Sequence, residues 1–139
     1  MRPPLFVLVH SSSVGPATWH PVAEHLTAGG HQVCVPSLLH IGAGGPPIWP
    51  PVVAAVREEL RRIPVSTPLT LVAHSNAGLF LPLIRWALDQ PVTSSVFVDA
   101  AERARERGWR VAHLPGAHLH QIVDPAGTAR HLVELGAPV

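Results

Sequence analysis

Ser75 is the residue of this sequence best placed to do chemistry, within the stretch Pro-Leu-Thr-Leu-Val-Ala-His-Ser-Asn-Ala-Gly that runs from Pro68 to Gly78. Leu69 to Val72 contains a short apolar run typical of a strand buried on both faces, and Gly78 to Leu88 favours a helix. A serine at such a turn projects its hydroxyl above the sheet, and the unpaired amides that open the helix can hold an anion. An acyl-transfer nucleophile needs this arrangement.

The residues around Ser75 are small but depart from the usual nucleophile turn, G-x-S-x-G. Ala73 and Ala77 occupy both glycine positions, and Gly78 follows one residue later. Alanine still lets a strand and a helix approach closely. The alternative interpretation is a purely structural turn between strand and helix.

Composition limits the classes of function. A chain of 139 residues suits one domain, residues 1–139, with a single core. A net charge of +1, with arginine as all ten basic residues, predicts no nucleic-acid partner. Cys34 is the sole cysteine, which favours a reducing compartment, and the apolar run from Leu5 to Val9 is too short for a leader or membrane span. We therefore expect a cytoplasmic protein without a membrane partner.

Strands and helices alternate along the chain. The predicted strands are Leu5 to Val9, Gln32 to Val35, the strand before Ser75, Val92 to Val98, and Trp109 to Leu114. The predicted helices are Thr18 to Ala28 with Thr18 as its cap, Val52 to Ile63, Gly78 to Leu88 bent by Pro82, Ala100 to Arg107, and Pro125 to Leu135 capped by Asp124. The helix after Ser75 is apolar nearly all round, which predicts central packing. Short connections favour an α/β fold, a parallel sheet with helices on both faces.

The order and spacing of several motifs resemble the α/β-hydrolase family, specifically bacterial hydrolases with a Val-His-Ser opening. The matching stretches are Leu8 to Trp19, Ala73 to Gly78, Phe97 to Ala100, Gly108 to Val111 and Leu114 to Pro125. This chain is shorter than the family usually is, since the lid segment and a further strand after Asp99 are missing. The resemblance implies a three-layer αβα sandwich with a five-stranded parallel sheet of order 2-1-3-4-5.

The resemblance also implies a catalytic triad. Ser75 would be the nucleophile and His118 its general base, because an imidazole ionises near neutral pH. His120 is the closest rival of His118, although these two histidines could instead form half of a metal site; no thiol or carboxylate cluster supports a metal. Asp99 would orient the imidazole, or else be an ordinary aspartate at a strand end. Asp124 is better explained as a helix cap.

The remaining site predictions concern the oxyanion hole and the substrate. The resemblance places the oxyanion donors at the backbone amides of Asn76, Ser11 and Ser12, each commonly worth about 3 kcal/mol in the transition state. The candidate substrate-binding residues are His10, His74, Leu39, His40 and Trp49. The long, mostly apolar loop from Ser37 to Pro51 predicts an uncharged, hydrophobic acyl substrate.

The connection between the fourth and fifth predicted strands is short for a parallel crossover, which normally needs about a dozen residues. Only Ala100 to Gly108 link them. We therefore hypothesise a homodimer, in which the C-terminal unit could swap so that His118 serves the Ser75 of a second copy.

Three functions are compatible with these residues. The first is a small esterase or thioesterase that forms an acyl-enzyme on Ser75 without a cofactor. The alternatives are a non-catalytic binding or assembly protein with the same fold, and a cofactor-free lyase or cyclase that uses the same pocket, since a fold does not fix a chemistry.

Overall fold

The computed structural model describes residues 2–99, 110, 112 and 118–137. The strands are β1 (Leu5–Val9), β2 (Val33–Cys34), β3 (Leu69–His74) and β4 (Val92–Val98). The α-helices are α1 (His20–Ala28), α2 (Trp49–Glu59), α3 (Leu81–Ala87), α4 (His120–Val123) and α5 (Pro125–Gly136). Short 3-10 helices cover Pro16–Thr18, Ile41–Gly44 and Ser75–Phe80. Within these described ranges, no helix is long and apolar enough to cross a membrane.

The sheet is parallel, with the strand order β2-β1-β3-β4. This order agrees with the predicted topology, but the described part of the chain has four strands rather than five. The fifth predicted strand, Trp109 to Leu114, lies outside the described residues apart from Arg110 and Ala112, and the predicted helix Ala100 to Arg107 lies wholly outside them. All six residues of β3 are buried, as expected for a strand between two neighbours and under helices on both faces.

Two apolar layers enclose the sheet, because successive side chains of a strand point to opposite faces. Along β1, Leu5, Val7 and Val9 face the layer that contains side chains of α2 and α3. Phe6 and Leu8 face the opposite layer, which contains side chains of α1 and α5. The molecule is therefore a three-layer α/β sandwich, as the resemblance implied.

The first two α-helices begin at other residues than predicted. Thr18 lies in a 3-10 turn, where its hydroxyl donates to the Gly15 carbonyl at 2.8 Å, so α1 begins after Trp19. Helix α2 begins three residues earlier than expected, at Trp49, and ends at Glu59. Prolines follow Trp49 immediately, and proline is well suited to the first turn of a helix, where its missing N–H is not needed.

The segment after Ser75 differs most from expectation. The predicted single helix is a 3-10 helix, Ser75–Phe80, followed by the short helix α3. Pro82 lies in the first turn of α3 and so does not bend a helix interior. The prediction that this segment packs centrally was also wrong, since Leu79 is 78% exposed and Trp86 is 85% exposed.

The last helix agrees with prediction. The side chain of Asp124 accepts a hydrogen bond from the Gly127 amide at 3.0 Å and caps α5. The sequence did not predict α4, a single turn that carries His120 directly before this cap.

Candidate active site

Ser75 lies where β3 turns into the 3-10 helix, with φ of 56°. This left-handed conformation is uncommon for a residue with a side chain, and such strained positions cluster at functional sites. Gly78 allows the turn to pass close to β4, because a Cβ at this position would lie 2.9 Å from Cδ1 of Phe97. Gly78 stands one residue after the second glycine position of the G-x-S-x-G motif, and the close approach of β4 requires a glycine there.

Asp99 reaches the same edge of the sheet from β4. Strands β3 and β4 are parallel, and their last register pair is His74 and Val98. Ser75 and Asp99 are the next residues along each strand. Asp99 also has a left-handed backbone, with φ of 58°.

His118 presents its Nδ1 to the Asp99 carboxylate. The distance from Nδ1 to Oδ2 is 3.7 Å, and the His118 side chain is 61% exposed. An imidazole in this orientation has its Nε2 available to take a proton. No hydrogen bond links the Ser75 hydroxyl to His118 among the residues that the structure describes. Catalytic hydrogen bonds are often long in ligand-free enzymes and shorten in the substrate complex.

His120, the rival general base, faces another carboxylate. Its Nε2 lies 3.8 Å from Oδ2 of Asp124, and its side chain is 15% exposed. The structure thus groups His120 with the cap of α5, and groups His118 with Asp99.

His74 is buried beneath this group. Its Nε2 lies 2.8 Å from the His118 carbonyl oxygen and 3.2 Å from Oδ2 of Asp99. The Nδ1 is buried without a hydrogen-bond partner, and the ring meets Trp19 edge to face at 6.2 Å between centroids. The side chain that precedes the candidate nucleophile therefore contacts both other members of the predicted triad.

His74, Asp99 and His118 are also the described residues that could hold a metal ion, since one ligand atom of each lies within 4.8 Å of the others. Tetrahedral Zn²⁺ with bonds of about 2.1 Å would place ligand atoms about 3.4 Å apart. However, a histidine ligand normally donates its other N–H to an acceptor, and Nδ1 of His74 has none. The donor set therefore fits a hydrogen-bonded group better than a metal centre.

The Asn76 side chain connects the turn after Ser75 to the loop after β1. Its Oδ1 accepts from the Ser11 hydroxyl at 2.9 Å and from the Ser12 amide at 3.3 Å, and its Nδ2 donates to the Ser12 hydroxyl at 2.9 Å. The segments that carry the predicted oxyanion donors are thus held together. The Ser12 amide already has an acceptor within the protein.

The predicted substrate-binding residues fall into two groups. His10 and His74 are fully buried. Both ring nitrogens of His10 are engaged with backbone: Nδ1 donates to the Ser11 carbonyl at 2.8 Å, and Nε2 accepts from the Leu38 amide at 2.8 Å. His10 therefore joins the loops that follow β1 and β2.

The other three candidates are exposed. Leu39 is 59% exposed, Trp49 is 44% exposed, and His40 is also exposed. Leu39 lies against the loop after β1, where a Cβ on Gly15 would come 3.3 Å from Leu39 Cδ2. These side chains are accessible to a ligand.

Sequence reasoning missed two sets of contacts: those of His74 with Asp99 and His118, and those of the Asn76 side chain. A signal for the first was present, because a histidine at the end of a strand buried on both faces needs a partner for its polar atoms. Asn76 gave no such signal, since many asparagines in turns satisfy only their own backbone.

No family model matches the sequence, and no curated protein matches it. An extracellular α/β-hydrolase from a Paenibacillus species, described as sharing structural and functional homology with tobacco salicylic acid binding protein 2, is 23% identical with a TM-score of 0.57. That match covers 68% of this chain and 40% of that protein.

A second solved structure, a protein of Xanthomonas campestris pv. campestris assigned to the α/β-hydrolase superfamily, is 14% identical with a TM-score of 0.64. The match covers 96% of this chain and 98% of that protein. The chain thus spans less than half of the Paenibacillus protein and nearly all of the Xanthomonas protein. Together with the parallel sheet and its two helical layers, these likenesses show that the chain has the α/β-hydrolase fold, shortened relative to the Paenibacillus protein.

Proposed function

We propose that this protein is a small serine hydrolase that cleaves a carboxylic ester or thioester. The observation that carries the proposal is the arrangement at the carboxyl ends of β3 and β4. Ser75, in a left-handed turn, neighbours Asp99, and the Asp99 carboxylate faces Nδ1 of His118 at 3.7 Å. These are the three residue types of a hydrolytic triad, on the edge of the sheet where ligands of α/β folds bind.

In the proposed reaction, Nε2 of His118 takes the hydroxyl proton of Ser75 as Oγ attacks the carbonyl carbon. The C–O or C–S bond to the leaving group then breaks, and the imidazolium returns the proton to the departing alkoxide or thiolate. Water, deprotonated by His118, hydrolyses the acyl-enzyme and regenerates Ser75. Asp99 orients the imidazole and stabilises its positive charge.

The oxyanion of the tetrahedral intermediate would accept hydrogen bonds from the backbone amides of Asn76 and Ser11. The Ser12 amide can contribute only after it leaves Oδ1 of Asn76, which lies 3.3 Å away. The contacts of the Asn76 side chain support this account because they hold both donor segments in one place.

The substrate proposal is an uncharged, hydrophobic acyl group. The exposed side chains of Leu39 and Trp49, on the segment between β2 and α2, support it. The test is hydrolysis of nitrophenyl esters and acyl thioesters of increasing chain length, with the Ser75→Ala variant as control. We expect turnover that increases with acyl length and is lost in the variant. Turnover that the variant retains would contradict the proposal.

The second candidate is a non-catalytic protein of the same fold that binds a ligand or partner. Two observations favour it: the Ser75 hydroxyl makes no hydrogen bond to His118 within the described residues, and the Ser12 amide is already paired. A folded protein that hydrolyses no ester and reacts with no serine-directed probe would contradict the hydrolase proposal and favour this candidate.

The homodimer stays a prediction. Light scattering across micromolar concentrations tests it, and a monomer throughout that range would exclude both the dimer and an exchanged C-terminal unit.

A further inference from the structure

We propose that His74 is a positioning residue, which holds Asp99 and the backbone of His118 in the arrangement that hydrolysis needs. The catalytic part of this inference rests on the proposed function. His74 is 0% exposed, so it does not contact substrate. It acts through the two residues that face its Nε2 atom.

The position of the ring proton follows from the partners of His74. Its Nε2 lies 2.8 Å from the His118 carbonyl oxygen and 3.2 Å from Oδ2 of Asp99. A carbonyl and a carboxylate only accept hydrogen bonds, so Nε2 must carry the proton and share it between the two oxygens. The other tautomer would bring the Nε2 lone pair against both oxygens and leave a buried Nδ1–H without an acceptor.

The donor itself is held rigidly. His74 is the last residue of β3, whose six residues are all buried, and its ring packs edge to face on the fully buried Trp19. The two residues that accept its hydrogen bond have more exposed side chains, 33% for Asp99 and 61% for His118. A rigid donor beneath two solvated residues restricts where each can lie.

One hydrogen-bond donor therefore connects the candidate acid to the segment that delivers the candidate base. Oδ2 of Asp99 lies 3.2 Å from His74 Nε2, within hydrogen-bond distance, and 3.7 Å from His118 Nδ1. If His74 stopped donating, Asp99 could rotate into solvent and the His118 carbonyl would lose its partner. The imidazole of His118 would then be presented to Ser75 in many orientations rather than one.

The test compares three variants that differ in where they place an N–H. The side-chain amide of His74→Gln reaches approximately the position of Nε2, whereas that of His74→Asn reaches approximately the position of Nδ1. His74→Leu offers no donor. Each protein is inactivated with a fluorophosphonate, a probe that phosphonylates activated serines, and the maximal rate and half-saturating concentration are measured separately.

We expect His74→Gln to react within about threefold of the wild type. We expect His74→Asn and His74→Leu to lower the maximal rate by about 10- to 100-fold, by analogy with residues that orient the ligands of a metal ion. The half-saturating concentration should not change, because His74 does not contact the probe. If His74 acted through packing alone, His74→Gln and His74→Asn would lower the maximal rate to a similar extent.

The outcomes separate this inference from the proposed function. A wild-type protein that never reacts contradicts the proposed function, and the catalytic inference falls with it. A wild type that reacts and a Leu variant that reacts equally fast overturn the inference alone. Long-range ¹H–¹⁵N spectra of the wild type provide a test without variants: we expect the Nε2–H tautomer of His74, and the Nδ1–H tautomer would overturn the proposal.

Discussion

Ser75 and Asp99 follow the register-paired residues His74 and Val98 at the ends of two adjacent parallel strands, and both have left-handed backbones, with φ of 56° and 58°. A left-handed conformation costs about 1 kcal/mol or more for a residue such as Ser75, whereas aspartate and asparagine adopt it more readily. The strained turn at Ser75, at the carboxyl edge of the sheet, is consistent with a functional role, since strain of this kind persists where the surrounding structure enforces it.

Replacing Asp99 by asparagine should separate charge from backbone geometry. Asparagine tolerates the left-handed conformation, so we expect Asp99→Asn to melt near the wild-type temperature. Its hydrolytic rate should fall by as much as about 10⁴-fold, because the imidazole of His118 loses the negative charge that orients it. The measurements are thermal unfolding and ester turnover. The matched control is Asp89→Asn, because Asp89 is an exposed aspartate that follows α3. Equal rates of ester turnover in the two variants would exclude Asp99 as the acid.

The three hydrogen bonds of the Asn76 side chain should stabilise the loop after β1. A double-mutant cycle with Asn76→Ala and Ser12→Ala isolates the contact between Nδ2 and the Ser12 hydroxyl, 2.9 Å long. We expect a coupling of about 0.5–1 kcal/mol in the free energy of unfolding, since this contact is exposed. If the losses of stability in the two single variants add exactly in the double variant, this hydrogen bond contributes nothing beyond what the same groups gain from solvent.

Gly78 should not accept a side chain. In Gly78→Ala, the new methyl would come within 2.9 Å of the Phe97 ring, so the strand or the turn must shift. We expect a loss of about 1–3 kcal/mol in the free energy of unfolding, measured by urea titration. Gly44→Ala is the control, because nothing lies within 4 Å of a Cβ at that position. Equal stability of the two variants would contradict the close approach of this turn to β4.

Cys34 should make stability depend on alkaline pH. Burial of its thiol, with a smaller contribution from the Glu59 carboxylate, raises its pKa from 9.0 to about 12. The unfolded thiol loses its proton first, so the stability that the folded thiol contributes is complete below pH 9.0 and is lost as pH rises towards about 12. The chain has no tyrosine or lysine, so few other groups titrate in this alkaline range.

The measurement is the free energy of unfolding between pH 8.5 and 11, compared with that of Cys34→Ala. We expect the wild type to lose stability more steeply than the variant over this range. Parallel curves would mean that the thiol is not held in its protonated form. A native Cys34 should also resist thiol reagents at neutral pH, because the thiolate is the reactive species.

The sequence alone predicted β1, β4 and α5 well, because apolar runs and the Asp124-Pro125 helix start are local signals, whereas the strand order came from the family resemblance. The turn after Ser75 was harder to predict. Its apolar residues suggested one buried helix, whereas tertiary geometry requires a 3-10 segment and leaves Leu79 and Trp86 exposed. Proline placement was also ambiguous, since Pro82 suits both a bend in a helix and the first turn of one.

The candidate site could be anticipated only as a set of residues. The family resemblance suggested Ser75, Asp99 and His118 as the members of one triad. Contacts between segments that are distant in the chain do not follow from residue spacing. These contacts include those of His74 Nε2 with Asp99 and with the His118 carbonyl.

The proposed hydrolase function requires that Ser75 be an activated nucleophile. The purified protein would be treated with a fluorophosphonate and analysed by intact mass and peptide mapping, alongside Ser75→Ala, His118→Ala and His120→Ala. We expect one adduct, on Ser75, that is lost in the first two variants and retained in His120→Ala. A folded wild type that forms no adduct, or an adduct that survives in His118→Ala, would contradict the proposed function.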